Sequence, residues 1–167
     1  MHNPEDILRN PRDAHRDWSD VTSRIKQAGK VEILVDLDQK PYAVLDLGCG
    51  RGFMVDYLRR RFSLKAYGVD RMLCSEKRSW FFECSADVNM PFPDESFPIV
   101  YSQALFDAGL YGNWRKEIFE GARRVLKPGG VFVIGDYDQP PFKDAEGFRV
   151  LLERGDFGYI SVLEKTE

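Results

Sequence analysis

Histidine and cysteine are scarce in this chain of 167 residues, and their scarcity excludes several kinds of site. The two histidines, His2 and His15, lie outside the glycine-rich region described below, so neither a histidine-based metal site nor a catalytic triad is expected. The three cysteines, Cys49, Cys74 and Cys84, have no CxxC or CxxxC spacing, which argues against a zinc site and a disulfide framework. Free thiols suit a reducing compartment, and we expect the cytoplasm.

Long apolar runs and a strong net charge are also missing. No stretch reaches the length of a membrane-spanning helix, and the first residues carry prolines and charges where a secretion signal needs an apolar run. The net charge of −3 predicts no general attraction to nucleic acid or to membranes. A basic run, Arg59 to Arg61, with Lys65 and Arg71 nearby, could contact phosphates, but such residues at a helix end more often face water.

The apolar content of 43% is sufficient for one domain with a buried core. We expect an N-terminal helical cap, residues 1–40, and a main domain, residues 41–167. In the cap, the spacing of apolar residues predicts an amphipathic helix from Asp13 to Gln27. From Val31 to Leu37 the alternation is compatible with a strand, although a short helix fits as well.

Beyond residue 40 the chain alternates between short apolar segments and amphipathic ones. The predicted strands are Ala43–Leu47, Lys65–Val69, Phe81–Ser85, Ile99–Ser102, Val131–Gly135 and a last one within Gly158–Leu163. The predicted helices are Gly52–Arg61, Trp114–Leu126 and Asp144–Arg154. This alternation predicts an α/β fold with a doubly wound, mainly parallel sheet that is covered on both faces.

The most informative segment is VLDLGCGRGF, from Val44 to Phe53, which joins a buried strand to a helix through a glycine-rich turn. Glycines at 48, 50 and 52 permit positive φ and a close approach of a ligand to the backbone. In open α/β sheets, nucleotide-like ligands bind at this edge, beside a helix N-terminus. A dinucleotide fingerprint would place a glycine at position 53, where Phe53 stands, so the spacing disfavours a nicotinamide cofactor.

Two carboxylates follow the next predicted strands. Asp70 ends the second strand, 18 residues after Gly52, where a carboxylate can accept hydrogen bonds from both hydroxyls of a ribose. Asp87 follows the third strand and could accept a hydrogen bond from an exocyclic amine such as that of adenine. Together they favour a ligand of the adenosine type.

Four segments, taken in order, resemble motifs of the class I S-adenosylmethionine-dependent methyltransferases, in their compact, type 11-like branch. VLDLGCGRG resembles the family's first motif, and YGVD resembles its second, which carries a ribose-binding acid. SADVNMPFPDESF resembles the segment with the adenine-contacting acid, and RRVLKPGGVFVIGD resembles the helix, turn and strand that close the family's fifth strand. The match runs from about Val44 to Val133 and implies a Rossmann-like fold, S-adenosylmethionine as cofactor and methyl transfer as activity.

The resemblance also implies roles for individual residues. Asp46, Gly48 and Gly50 would line the methionine part of the cofactor, and Asp70 would hold the ribose. Asp87 and the Val88 backbone would recognise adenine, while Ser102 and Gln103 would face the sulfonium and the acceptor. The neighbouring residues that would also border the cofactor are Leu47, Cys49 and Arg71. Simpler roles stay open: Asp46 as a cap of its own turn and Asp70 as a solvated turn residue.

No catalytic residue can be assigned, because methyl transfer needs a base only when the acceptor must lose a proton. Asp107, Asp136 and Tyr137 are candidates, although structural or orienting roles suit them better. Pro98 stands where the family usually has an aspartate. The residues after Asp136 are enough for one helix and one strand, so we expect a shortened C-terminal end and an acceptor site that is open or completed by another chain, either a second copy or a partner subunit.

Three functions are therefore compared. The leading hypothesis is an enzyme that methylates an unidentified small molecule. The alternative is a non-catalytic, methyltransferase-like subunit that binds the cofactor or a partner protein, which an exposed apolar patch near Gly158–Leu163 would favour. The third, a nicotinamide-dependent oxidoreductase, is disfavoured by the glycine spacing.

Overall fold

The computed structural model describes residues 11–72, 78–106, 114–136, 145–155 and 159–167. Its α-helices are α1, Pro11–Gln27; α2, Phe53–Phe62; and α3, Arg115–Val125. Two 3-10 turns, Val31–Leu34 and Leu37–Gln39, follow α1. In these parts of the chain we find no helix with the length and apolarity needed to cross a bilayer.

The strands of the described residues pair into one seven-stranded sheet. They are β1, Val44–Leu47; β2, Ala66–Asp70; β3, Phe81–Glu83; β4, Phe97–Gln103; β5, Leu126–Asp136; β6, Phe148–Gly155; and β7, Tyr159–Lys165. Their spatial order is β3-β2-β1-β4-β5-β7-β6. Strands β1 to β5 are parallel, whereas β7 is antiparallel to both β5 and β6. The last residues of the parallel strands therefore share one side of the sheet, here called the carboxyl edge.

Helices cover the sheet on both faces. On one face α1 and α2 bury apolar residues that include Trp18, Ile25, Met54 and Leu58. On the other face α3 packs Ile118, Ala122 and Val125 against the sheet and against a group of aromatic rings. Because both faces are covered, β1 and most of β4 are buried throughout. The arrangement confirms the predicted doubly wound α/β class.

The predicted elements from α1 to β5 are confirmed, with ends that differ by a few residues. The largest difference is at β5, which begins at Leu126 rather than at Val131. Leu126 pairs with Phe97, and the register with β4 then shifts between Phe97 and Ile99. Pro98 lies at this irregularity, where a residue without an N–H is tolerated. The Val31–Leu37 segment, for which two structures were compatible, forms 3-10 turns.

The predicted helix Asp144–Arg154 is wrong, because Phe148–Gly155 is strand β6. The period of the side chains explains the difference. Phe148 and Val150 pack on the α3 face, whereas Arg149 between them bonds to Glu164 on β7. Over these three residues apolar and polar positions alternate with a period of two, as in a strand. The register shifts between Val150 and Leu152, and Leu152 packs on the opposite face.

The expectation of one final helix and one strand is corrected with it. Strands β6 and β7 form an antiparallel pair that completes the sheet beyond β5. The described sheet therefore ends with this antiparallel pair and not with one helix and one strand.

Candidate functional site

The glycine-rich turn is fixed by backbone hydrogen bonds at the carboxyl edge. The N–H groups of Gly48 and Cys49 both donate to the carbonyl oxygen of Val69, at 2.9 and 3.0 Å, which draws the turn toward the end of β2. Gly52 donates to the carbonyl of Cys49 at 2.8 Å. Gly48, Gly50 and Gly52 have φ of 68°, 56° and 76°, a region that glycine enters without steric cost. The turn therefore delivers the chain into the N-terminus of α2 at the carboxyl edge.

Close packing behind the turn also depends on glycine. A Cβ added at Gly68 would lie 2.6 Å from the Cys49 sulfur, so the Cys49 side chain occupies the space that Gly68 leaves. The ring of Trp80 lies against Gly52 in the same way. Trp80 is buried in the core on the face covered by α1 and α2. The side chain of Cys49 thus faces the core, and only its backbone can border a ligand.

Asp70 is held at the end of β2 by two backbone donors. Its two carboxylate oxygens accept hydrogen bonds from the N–H groups of Gly50 and Met72, each at 2.8 Å. Each carboxylate oxygen has a second acceptor site. The partly exposed carboxylate is therefore oriented by the turn and can still accept two further hydrogen bonds, as the two hydroxyls of a ribose require.

Cys84 interacts with both Asp70 and Asp87. The Cys84 N–H donates to the Asp70 carbonyl at 3.0 Å. Burial, chiefly, and the negative charge of Asp87 raise the pKa of the Cys84 thiol. The Asp87 carboxylate accepts a hydrogen bond from the Asn89 N–H at 2.7 Å, which fixes a tight turn. The structure thus brings both predicted acids of the adenosine end to the same edge.

The predicted residues of β1 and β4 are not all on one face. Asp46 is 1% exposed and lies opposite Tyr101, on the face covered by α1 and α2. Ser102 is fully buried opposite Leu47, on the α3 face, and its hydroxyl has no hydrogen-bond partner among the described residues. Gln103 accepts a hydrogen bond from the Tyr101 hydroxyl at 3.1 Å. The strand ends therefore bring Asp46 and Gln103 to one face and Ser102 to the other.

Sequence reasoning missed a contact across this edge. The Arg71 guanidinium lies 3.8 Å from the centroid of the Trp114 ring, a cation–π contact between the end of β2 and the start of α3. Trp114 is 39% exposed. Met72 and Val88, which adjoin the contact and the Asp87 turn in sequence, are also exposed apolar residues. A tryptophan at a helix start was the available signal, but nothing local indicated its partner 43 residues away.

Several predicted candidates cannot be placed. Asp107 and Tyr137 lie outside the described residues, and Asp136 ends β5 with a side chain that is not described. Within the described ranges, no group of three or more His, Cys, Asp or Glu residues could hold a metal ion.

Comparison with known proteins shows the family of the chain. A sequence profile described as a methyltransferase domain matches residues 45–134, more than half of the chain. The chain is 29% identical over 129 residues to phosphoethanolamine N-methyltransferase of Triticum aestivum, which covers 71% of this chain and 25% of that protein. It is 28% identical over 160 residues to 24-methylenesterol C-methyltransferase 2 of Arabidopsis thaliana, which covers 81% and 44%. The chain therefore matches less than half the length of each of these curated relatives.

The fold has close counterparts among solved structures. The crystal structure of a SAM-dependent methyltransferase from Aquifex aeolicus aligns with a TM-score of 0.56 at 21% identity, over 95% of this chain and 100% of that one. At this identity the likeness concerns the fold alone.

Proposed function

Because this chain belongs to the family of S-adenosylmethionine-dependent methyltransferase domains, we propose that it transfers a methyl group from this cofactor to a small molecule. The observation that carries the proposal is the geometry of the Asp70 carboxylate. It accepts hydrogen bonds from the Gly50 and Met72 N–H groups, and each of its oxygens can accept one more. It stands at the end of β2, where the glycine-rich turn also lies.

We assign the adenosine end of the cofactor to the two acids. Asp70 accepts hydrogen bonds from the ribose hydroxyls, and Arg71 lies beside it. Asp87 accepts a hydrogen bond from the adenine amine, and the Val88 backbone borders the ring. These residues fit the cofactor chemically, because oriented carboxylates at this edge are hydrogen-bond acceptors and the ribose hydroxyls and the adenine amine are donors.

The methionine end belongs to the turn and to the ends of β1 and β4. Asp46, Gly48 and Gly50 line it, with the backbone of Leu47 and Cys49 beside them. Asp46 is 1% exposed at the end of β1, and a carboxyl group at this position suits a ligand that carries a positive charge. We assign Gln103, which shares a face with Asp46, to the side of the acceptor. Ser102 is fully buried on the opposite face, so its contact with the sulfonium stays a prediction.

When bound, S-adenosylmethionine supplies a methyl group that is activated by a positively charged sulfur. The chain then has to align acceptor and cofactor and to exclude water. A base is required only when the acceptor must lose a proton. The candidates are Asp107, which follows β4 in sequence, Asp136, which is the last residue of β5, and Tyr137, which comes next in sequence.

The acceptor is proposed at the level of its class. The names of two relatives specify phosphoethanolamine and a methylenesterol, one modified at nitrogen and the other at carbon. Both are small molecules, which supports a small-molecule acceptor without choosing the atom that receives the methyl group.

Two further proposals concern the setting of the enzyme. We place residues 1–40 as a helical cap on the domain of residues 41–167, since α1 buries Trp18 and Ile25 in the core beside α2. We place the protein in the cytoplasm because Cys49 and Cys84 are free thiols.

The alternative, a non-catalytic subunit, finds less support. An exposed apolar patch near Gly158–Leu163 would favour the subunit hypothesis. Val162 and Leu163 are buried, and Ile160 is half-buried. None of the large apolar residues that are exposed in the described chain is on β6 or β7; they are Val31, Val35, Phe62, Met72, Val88 and Trp114.

Activity is tested by following S-adenosylhomocysteine formation with pooled amines, phosphate esters and sterols as acceptors. We expect turnover by the wild type, a loss of at least about tenfold in Asp70→Asn, and no change in Glu83→Gln. Glu83 is a matched control, because it is an exposed acid that pairs with Asp70 across β2 and β3. Equal turnover by Asp70→Asn and the wild type would contradict the assignment of the site.

A further inference from the structure

We propose that Gly121 and Arg124 of α3 are positioning residues for Asp87, and that through it they set the preference of the site for an adenine base. The inference rests on the proposed function, since it takes Asp87 as the acceptor for the adenine amine. Neither α3 residue touches the cofactor in this account. Both act by fixing the turn that carries Asp87.

Arg124 holds the segment after Asp87 with one guanidinium group. It donates to the carbonyl oxygen of Met90 at 2.6 Å and to that of Phe92 at 2.7 Å. It also pairs with the Asp94 carboxylate at 2.7 Å. Hydrogen bonds from a charged donor to backbone carbonyls are stronger than those between neutral groups, and the fork of the guanidinium fixes their direction. A single helix residue therefore orders a loop that lies 30 to 34 positions earlier in the chain.

Gly121 lets the helix approach the turn at its other end. A Cβ added there would lie 2.7 Å from both the carbonyl carbon and the oxygen of Asp87. Backbone atoms cannot yield to a new methyl group as a flexible side chain can. The absence of a side chain at Gly121 is thus a condition for the present place of Asp87.

The two contacts act on one short turn. Met90 donates its N–H to the Asp87 carbonyl at 3.3 Å, and Asn89 donates to the Asp87 carboxylate at 2.7 Å. Gly121 and Arg124 are three positions apart, so they lie on the same face of α3. The helix consequently holds the Asp87–Met90 turn at its first residue and at its last, and with it the direction of the Asp87 carboxylate.

A purely structural role for Arg124 predicts a different result from a positioning role. General loosening of the fold would weaken the binding of every adenosine-like ligand alike. Displacement of Asp87 would weaken only ligands whose amine it accepts. The decisive quantity is therefore the ratio of dissociation constants for S-inosylhomocysteine, in which a carbonyl replaces the adenine amine, and S-adenosylhomocysteine.

The experiment measures both dissociation constants by calorimetry for the full chain and for Arg124→Gln. We expect the wild type to prefer S-adenosylhomocysteine by about tenfold or more and Arg124→Gln to lose most of that preference. Arg123→Gln is the matched control, because Arg123 is an exposed neighbour that lies against Gly147 instead. It removes the same charge and should keep the wild-type ratio.

Gly121→Ala keeps the inference testable if Arg124→Gln does not fold. Alanine favours a helix over glycine, so the helix itself gains stability while the turn is displaced. We expect a reduced ratio in a folded protein. An unchanged ratio in folded Gly121→Ala or Arg124→Gln would overturn the inference and leave the proposed function standing. No binding of either ligand by the wild type would overturn both.

Discussion

At the scale of single residues, two glycines show why similar backbone geometry has different consequences. Gly29 and Gly52 have φ of 75° and 76°. Gly29 follows the end of α1, and Gly52 precedes the first residue of α2. A Cβ added at Gly29 meets nothing within 4 Å. At Gly52 the same atom would overlap the ring of Trp80. The first position requires glycine for its conformation alone, and the second also requires it for space.

Gly52→Ala is therefore expected to be more destabilising than Gly29→Ala. Left-handed backbone costs an alanine about 1 kcal/mol, which is the whole effect expected at Gly29. At Gly52 the displacement of Trp80 adds about 1–3 kcal/mol. Urea unfolding of both variants measures the difference. Equal losses of unfolding free energy would show that Trp80 moves aside without cost.

At the scale of secondary-structure elements, the segment after α1 is tied to the end of the sheet by an ion-pair network. Lys30 contacts Glu164 of β7 at 2.8 Å, and Arg149 of β6 pairs with the same carboxylate. Hydrogen bonds from Lys30 and Arg149 hold the pKa of Glu164 below its usual value. The contact with Glu164 correspondingly raises the pKa of Lys30. The network joins three elements that are distant in sequence.

The pKa of Glu164 predicts how stability depends on pH. A carboxyl with a depressed pKa in the folded state stabilises the fold above its unfolded pKa, and that contribution is lost as the pH falls through the folded value. Glu164→Gln should lower the free energy of unfolding by about 1 kcal/mol at pH 7 and by progressively less below about pH 4.5. Thermal unfolding between pH 7 and pH 3 measures this.

Glu153→Gln serves as the control, because Glu153 is an exposed acid on β6. It should have no effect on stability at either pH. If the cost of Glu164→Gln were the same at pH 3 as at pH 7, the network would not contribute through charge.

Local patterns predicted most elements because each carries its own signal. Buried strands such as VLDL and the amphipathic spacing of α3 are visible in short windows. The segment around Arg149 was misjudged because its leucines at 151 and 152 suit a helix as well as a strand. Pairing with β7 decides between the two, and pairing partners are not visible locally.

At the scale of the whole molecule, the site depends on contacts that join distant segments. The positions of Asp70 and Asp87 could be predicted because each follows a strand whose carboxyl end must lie at one edge. The contacts of Arg71 with Trp114 and of Arg124 with the Asp87 turn could not, since they require the packing of α3 on the sheet. The sequence thus predicts which acids lie at the carboxyl edge, and the fold determines how they are held.

Ligand binding should stabilise the whole fold by mass action. At a concentration of S-adenosylhomocysteine 100 times its dissociation constant, the expected gain is about 2.7 kcal/mol. For a chain of this size that corresponds to a rise in Tm of roughly 5–10 °C. Thermal unfolding with and without ligand measures it. At the same ligand concentration, binding that is tenfold weaker leaves a gain of about 1.4 kcal/mol, so the rise in Asp70→Asn should be about half of that in the wild type or less. A rise of the same size in that variant would place the ligand elsewhere.

The most direct test of the central claim is a calorimetric titration of the wild type, Asp70→Asn and Glu83→Gln with S-adenosylhomocysteine. The account predicts one site per chain, binding weakened by about tenfold or more in Asp70→Asn, and wild-type binding in Glu83→Gln. A folded wild type that does not bind, or an Asp70→Asn variant that binds equally well, would contradict it.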